Sequence, residues 1–171
     1  MAVLSHDMII KAIEDGEITI SPYEVKNVGP ASVDLTLSNE FRTFKTSKDI
    51  MDIKETTNYR EETDVFTIND GEYFELPPNT MCLGITKETV TLSDGICALL
   101  EGRSRFARLG LFVHITASFM NPGISNKQVL EIYNSSTRTV RLYPGERVCQ
   151  MIFMRMEGKA KYEGIFKNNY L

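Results

Sequence analysis

The sequence predicts a mainly β protein, a sandwich or a barrel. Many short runs alternate apolar and polar residues, turn residues separate them at regular spacing, and helical periodicity is confined to two short stretches. The 171 residues suffice for one domain with its own core. No repeat, low-complexity tract or linker interrupts the chain, so 1–171 reads as a single domain.

In chain order, Ser5 can cap a helix over His6 to Asp15. Ile9, Ala12 and Ile13 share one face of it, and Gly16 ends it. Glu17 to Ser21, Ser32 to Leu37 and Glu40 to Phe44 then alternate as strands, with Val33, Leu35 and Leu37 on one side. Residues 45–64 are polar and predict a long surface loop or irregular hairpin. Val65 to Ile68, Tyr73 to Leu76 and Met81 to Thr86 follow as short strands, with Pro77 and Pro78 between them. Ile96 to Leu100 is a buried strand. Arg103 to Leu109 is the second helix, stopped by Gly110. Strands resume at Leu111 to Ala117, Val129 to Asn134, Thr139 to Leu142 and Val148 to Met154, separated by the Pro122-Gly123 and Pro144-Gly145 turns. The polar tail from Gly158 predicts an arm that orders on a ligand or a neighbouring subunit. Tyr162 and Phe166, four apart in it, fit either a helical contact or a stacking tail.

Composition excludes several functions. Hydrophobic residues make up 42% and charged residues 25%, and the formal net charge is −4. A chain that grips a nucleic-acid backbone carries a basic excess, so no nucleic-acid partner is expected. No stretch approaches the ~20 apolar residues of a membrane span, and Met1 to Ile10 lacks the apolar run of a signal peptide. The three cysteines (Cys82, Cys97 and Cys149) are odd in number and widely spaced, which argues for a reducing compartment, the cytoplasm, over a disulfide framework.

Chemistry concentrates in two places. Glu101-Gly102-Arg103-Ser104-Arg105-Phe106-Ala107-Arg108 brings three arginines and a serine to a helix start. Free N–H groups and guanidinium forks there suit a polyphosphate, and the same residues also fit an ordinary solvated helix face. Glu131 lies on one strand face with Val129 and Tyr133. A carboxylate among apolar neighbours is expected to have a raised pKa and can shuttle protons; otherwise it is a glutamate on a wet strand face. His114, within an apolar strand, reads as a hydrogen-bonded core residue, and Cys97 and Cys149 as packing. The H-x-E…P-C-x-x-C signature of zinc-dependent nucleobase deaminases is missing, so any deamination here proceeds without zinc.

EGRSRFARLGLFVHITASFMNPG, followed by VLEIYN, resembles the signature of dCTP deaminases. PASVDLTLS upstream, YPGERVCQMIF downstream and the opening LSHDMIIKAIEDGEI resemble further segments of that family, in order. The resemblance implies a distorted β-barrel of the dUTPase-like (β-clip) type, with a short N-terminal and one central helix. It implies a homotrimer with active sites between subunits, and conversion of dCTP to dUTP and ammonia with Mg2+ on the triphosphate. Glu131 matches the family's general base. Arg103, Ser104 and Arg108 match positions serving the phosphates and the reacting centre; Ser104 and Arg108 are catalytic candidates, with Arg108 near the catalytic water, where it would stabilise the charged intermediate. Arg105, Phe106 and Ala107 belong to the same substrate loop. Backbone groups around Ala117 and along Val129, Leu130 and Glu131 would read the pyrimidine, Gln150 would contact the nucleotide, and Lys161 would close over the phosphates. dTTP is a feedback inhibitor in some relatives and joins the candidate ligands.

The chain departs from the pattern at three places. Arg105 replaces a serine. Asn121 stands where the family has aspartate; asparagine can hydrogen-bond the sugar but cannot act as a base, which favours dUTP as the end product over dUMP. The tail lacks the family's glutamine after Gly164. A dUTP pyrophosphatase, a bifunctional deaminase–dUTPase and a non-catalytic nucleotide-binding regulator are the alternative readings.

Overall fold

The computed structural model describes residues 2–47, 50–164 and 171. The chain opens with β1 (Ala2–Val3) and α1 (His6–Glu14). Ser5 occupies the N-cap position of α1, but its side chain makes no capping bond. Gly16 ends the helix with φ +73°, a conformation that costs glycine little. Ile9 and Ala12 are the face α1 buries.

The rest is strand and loop. β2 (Ile18–Ser21), β3 (Val33–Phe44), β4 (Thr63–Thr67), β5 (Phe74–Leu76), β6 (Met81–Leu92) and β7 (Ile96–Gly102) lead to α2 (Ser104–Ala107). β8 (Leu111–Val113), β9 (Phe119–Met120), β10 (Ser125–Asn134), β11 (Val140–Leu142) and β12 (Arg147–Arg155) complete the fold. The main sheet runs β8-β10-β6-β3-β12-β7-β9, with β2 also on β6, β4 on β3 and β1 on β12. Strands β5 and β11 form a separate two-stranded sheet. Every pairing between these strands is antiparallel. The large sheet curls into a half-barrel around Leu35, Leu37, Phe41, Leu100, Leu130 and Phe153, all essentially inaccessible. The mainly β reading with two helices therefore holds.

Two strands expected in sequence, 32–37 and 40–44, are one. β3 pairs with β12 through its first half and with β6 and β4 through its second. Its register on β6 shifts between Leu37 and Phe41, where the alternation of buried and accessible residues also lapses. The strand expected at Leu111 to Ala117 stops at Val113, because His114 adopts φ +54° and leaves the ladder. The helix expected over Arg103 to Leu109 is a single turn.

Asn134 ends β10 wholly buried. Its Nδ2 donates to the carbonyls of Leu76, Pro77 and Arg138 at 3.0, 3.1 and 2.8 Å. Its Oδ1 accepts from the backbone and the hydroxyl of Ser136. A buried amide with its groups paired fixes the path of the turns that meet there.

Gly84 sits in β6 between Leu130 of β10 and Phe41 of β3. A Cβ there would lie 3.0 Å from both Ile132 Cδ1 and Leu37 Cδ1. Gly84→Val is expected to overpack this point and lower stability by ~1–3 kcal/mol, read as a lower urea midpoint at unchanged m-value. An unchanged midpoint would show that the side chains there yield freely.

Candidate active site

Strand β10 carries the central carboxylate. Its residues alternate between a buried face holding Leu130 and Ile132 and a half-buried face holding Val129, Glu131 and Tyr133. Glu131 therefore reaches a cleft of about 440 Å³ whose walls include Phe44, Tyr59, Leu83, Phe119, Met120 and Tyr162. Ala117, Asn121 and Val129, all expected at the substrate, line the same cleft. The Leu130 side chain is turned into the core, so only its backbone is available to a ligand.

His114, which the sequence reading takes for a hydrogen-bonded core residue, also lines this cleft. It is buried as expected, and its Nε2 lies 3.0 Å from the Ala117 carbonyl. Its backbone N–H donates to the Glu131 carbonyl at 2.8 Å, and its Nδ1 stands 2.8 Å from Glu131 Oε2. The side-chain contact is close but poorly aligned: neither Nδ1 nor Oε2 has an aligned hydrogen bond among the described residues. At that distance charge attraction and a bent hydrogen bond act together, and both atoms keep capacity for a ligand or a water. The positive φ of His114 is the structural signal of this arrangement, and the sequence shows only a histidine in an apolar run.

The charges correct one expectation. Burial by itself raises the Glu131 carboxyl, but the adjacent His114 and Glu131's own backbone N–H outweigh it, and its pKa lies below the ordinary 4.5. Burial lowers His114, yet Glu131, the Ala117 carbonyl and Glu101 outweigh it and hold the imidazole above its ordinary 6.5. The expected raised Glu131 pKa assumed purely apolar neighbours; a histidine from the β8 end supplies a counter-charge instead.

The arginine segment lies elsewhere on the chain. Ser104, Ala107 and Gln150 border a second, more open depression, and His114 is the one side chain common to both. Arg105 and Arg108 are exposed, while Phe106 packs partly against the core. Arg103 is engaged within the chain. Its Nη2 stands 3.0 Å from Asp34 Oδ2, which Arg147 also approaches at 3.3 Å, and its Nη1 donates to the Arg147 carbonyl at 2.8 Å. Gln150 is braced likewise: Ser32 Oγ donates to its Oε1 at 2.9 Å and its Nε2 donates to the Gly102 carbonyl at 3.4 Å. One turn of helix has little macrodipole, so any hold on phosphates here rests on side chains and local N–H groups.

The tail is docked as far as Tyr162, contrary to the expected free arm. The Ala160 N–H donates to the Asp94 carbonyl at 2.9 Å and the Tyr162 N–H to the Pro122 carbonyl at 3.0 Å. Lys161 packs along Gly123, where a side chain would collide with Lys161 Cγ. These contacts carry Tyr162 to the wall of the cleft. Phe166, its expected companion, lies outside the described residues.

The cysteines are all unpaired and buried, and burial pushes the Cys82 thiol up to about 12. Among the described residues no helix is long and apolar enough to cross a membrane.

A family model described as dCTP deaminase-like matches residues 3–156. A Methanobrevibacter smithii protein named dCTP deaminase, dUMP-forming, is 39% identical over 163 residues, which cover 94% of this chain and 84% of that protein. A protein of the same name from Pseudarthrobacter chlorophenolicus is 37% identical over 172 residues, covering 98% of this chain and 90% of that one. The crystal structure of 2′-deoxycytidine 5′-triphosphate deaminase from Agrobacterium tumefaciens shares the fold, with a TM-score of 0.69 at 18% identity. The match covers 90% of this chain and 47% of that one, so this chain spans about half its length.

Proposed function

This chain belongs to the dCTP deaminase-like family, and on that footing we propose that it converts dCTP to dUMP. One water replaces the 4-amino group, releasing ammonia, and a second cleaves between the α- and β-phosphates, releasing pyrophosphate. The observation that carries the reading is the Glu131–His114 pair, 2.8 Å apart in a largely apolar cleft. A carboxylate held ionised there takes a proton from water, directs the oxygen at C4, and returns protons to the ring nitrogen and the departing amine. The apolar walls exclude competing solvent and strengthen these charge interactions.

dUTP as the end product, expected from Asn121, gives way to dUMP, for which the relatives are named. Asn121 lines the cleft as a hydrogen-bonding group for the sugar. Among the described residues Glu131 is the one carboxylate lining it, so the second water draws on Glu131 or on a group from another copy. The separation of the arginine segment from the cleft on one chain supports assembly. A homotrimer would set Arg103, Ser104, Arg105 and Arg108 of one copy against the cleft of the next, with Lys161 and Gln150 near the phosphates. Among the described residues no group of three or more His, Cys, Asp or Glu side chains could ligate a metal. Mg2+ would be held by the triphosphate and neutralise its charge. Three buried, unpaired cysteines support a cytoplasmic setting.

The test is incubation with dCTP and Mg2+, with products separated by ion exchange. dUMP, pyrophosphate and ammonia in equal amounts are expected. Accumulation of dUTP alone would remove the second step, and binding without turnover would refute the proposal.

A further inference from the structure

The cleft contains two buried carboxamides that the reaction above does not use. Asn126 and Gln128 are 8% and 4% exposed, and both line the same cleft as Glu131. They sit where the β10 ladder is irregular, between Lys127 and Val129. There the Gln128 N–H leaves the ladder and donates to Thr86 Oγ1 at 2.9 Å, and Thr86 in turn donates to the Glu88 carbonyl at 2.9 Å. The Gln128 side chain is tied down by its nitrogen. Nε2 donates to Asn126 Oδ1 at 2.7 Å and lies 3.2 Å from the Asn126 carbonyl. Both of the side chain's hydrogen bonds among the described residues use Nε2, and none uses Oε1.

A buried amide is costly unless its groups are paired. Here the donor end is committed, which fixes the orientation of the group and leaves an acceptor with unused capacity in a cleft whose walls are mostly aromatic and aliphatic. An oriented acceptor at the wall of an apolar cleft favours ligands that bring a donor over those that do not.

We propose that Gln128, oriented by Asn126, is a specificity-determining residue of the cleft, its Oε1 accepting a hydrogen bond from an N–H or O–H donor of the bound nucleotide. The inference rests on the nucleotide reading of this cleft. Two groups of dCTP supply that chemistry: the 4-amino group of the base and the 3′-hydroxyl of the sugar.

The experiment compares wild type with Gln128→Met, using dCTP and 2′,3′-dideoxy-CTP. Loss of the bond is expected to raise KM for dCTP about tenfold, with kcat changed by less than about threefold, as for an interaction shared by ground and transition states. A penalty that disappears with the dideoxy substrate assigns the bond to the sugar hydroxyl; an equal penalty on both assigns it to the base. An unchanged dCTP KM in a folded Gln128→Met protein overturns the proposal. If that variant does not fold, Asn126→Leu/Gln128→Met replaces both amides by apolar groups. The same rise is expected there, and its absence is equally decisive. Should wild type bind dCTP without turning it over, the catalytic reading fails while Gln128 is still tested by calorimetry, where Kd should weaken about tenfold in the variant. Wild type that binds no dCTP overturns both.

Discussion

Glu131→Gln is expected to lower kcat for dCTP deamination by about a thousandfold or more, the scale of a lost general base that also serves as the acid, while dCTP still binds. The substitution keeps the shape of the side chain and its place between Val129 and Tyr133 on the half-buried face of β10. It removes the charge that His114 faces at 2.8 Å and the capacity to carry a proton between water and the leaving amine. Single-turnover deamination together with calorimetric dCTP binding checks both halves. Turnover within tenfold of wild type would mean that Glu131 is not the proton carrier, and loss of binding with folding intact would make it a recognition group instead.

His114→Asn is the second large effect, a loss of about a hundredfold in kcat near neutral pH, within the range of one electrostatic or proton-transfer contribution. Asparagine tolerates the positive φ that alanine would resist, so the backbone that turns the β8 end toward Glu131 is kept. What goes is the imidazole and the charge it can carry. Burial, which raises the Glu131 carboxyl, is then opposed by Glu131's own backbone N–H alone. The acid limb of the kcat/KM profile should move to higher pH in the variant; a limb that stays in place would show that His114 does not set the charge state of Glu131.

The same pair makes stability depend on pH. Folding favours ionised Glu131, so its contribution is complete above 4.5 and is lost as pH falls through the lower folded value. Folding favours protonated His114, so its contribution is complete below 6.5 and is lost as pH rises through the higher folded value. The stability gap between wild type and His114→Asn should therefore be widest between pH 4.5 and 6.5 and should narrow on both sides. Denaturant titrations across pH that show a constant gap would remove the pair as its cause.

Much of this protein is local and therefore legible in its residues. The helix before Gly16, the alternation of Val33, Leu35 and Leu37, and the turns at Pro122-Gly123 and Pro144-Gly145 follow from period, cap and turn chemistry. Each of these depends on neighbours a few positions away. The Glu131 strand face could be read in the same way, and the resemblance of the segment from Glu101 to Asn134 points to the family the chain belongs to. The tertiary structure alone decided how distant residues meet. Only a sheet that brings β8 alongside β10 sets His114 against Glu131 and reverses the sign expected for the carboxyl's pKa. Only β12, paired with β3 on one side and β7 on the other, brings Asp34 to Arg103. Only the docking of residues 160–162 on Pro122 turns an expected loose arm into a wall of the cleft. Charge, burial and hydrogen-bond supply at a site are sums over neighbours in space, and residues such as Gln128 and Asn126 acquire a role from what faces them, which linear order does not contain.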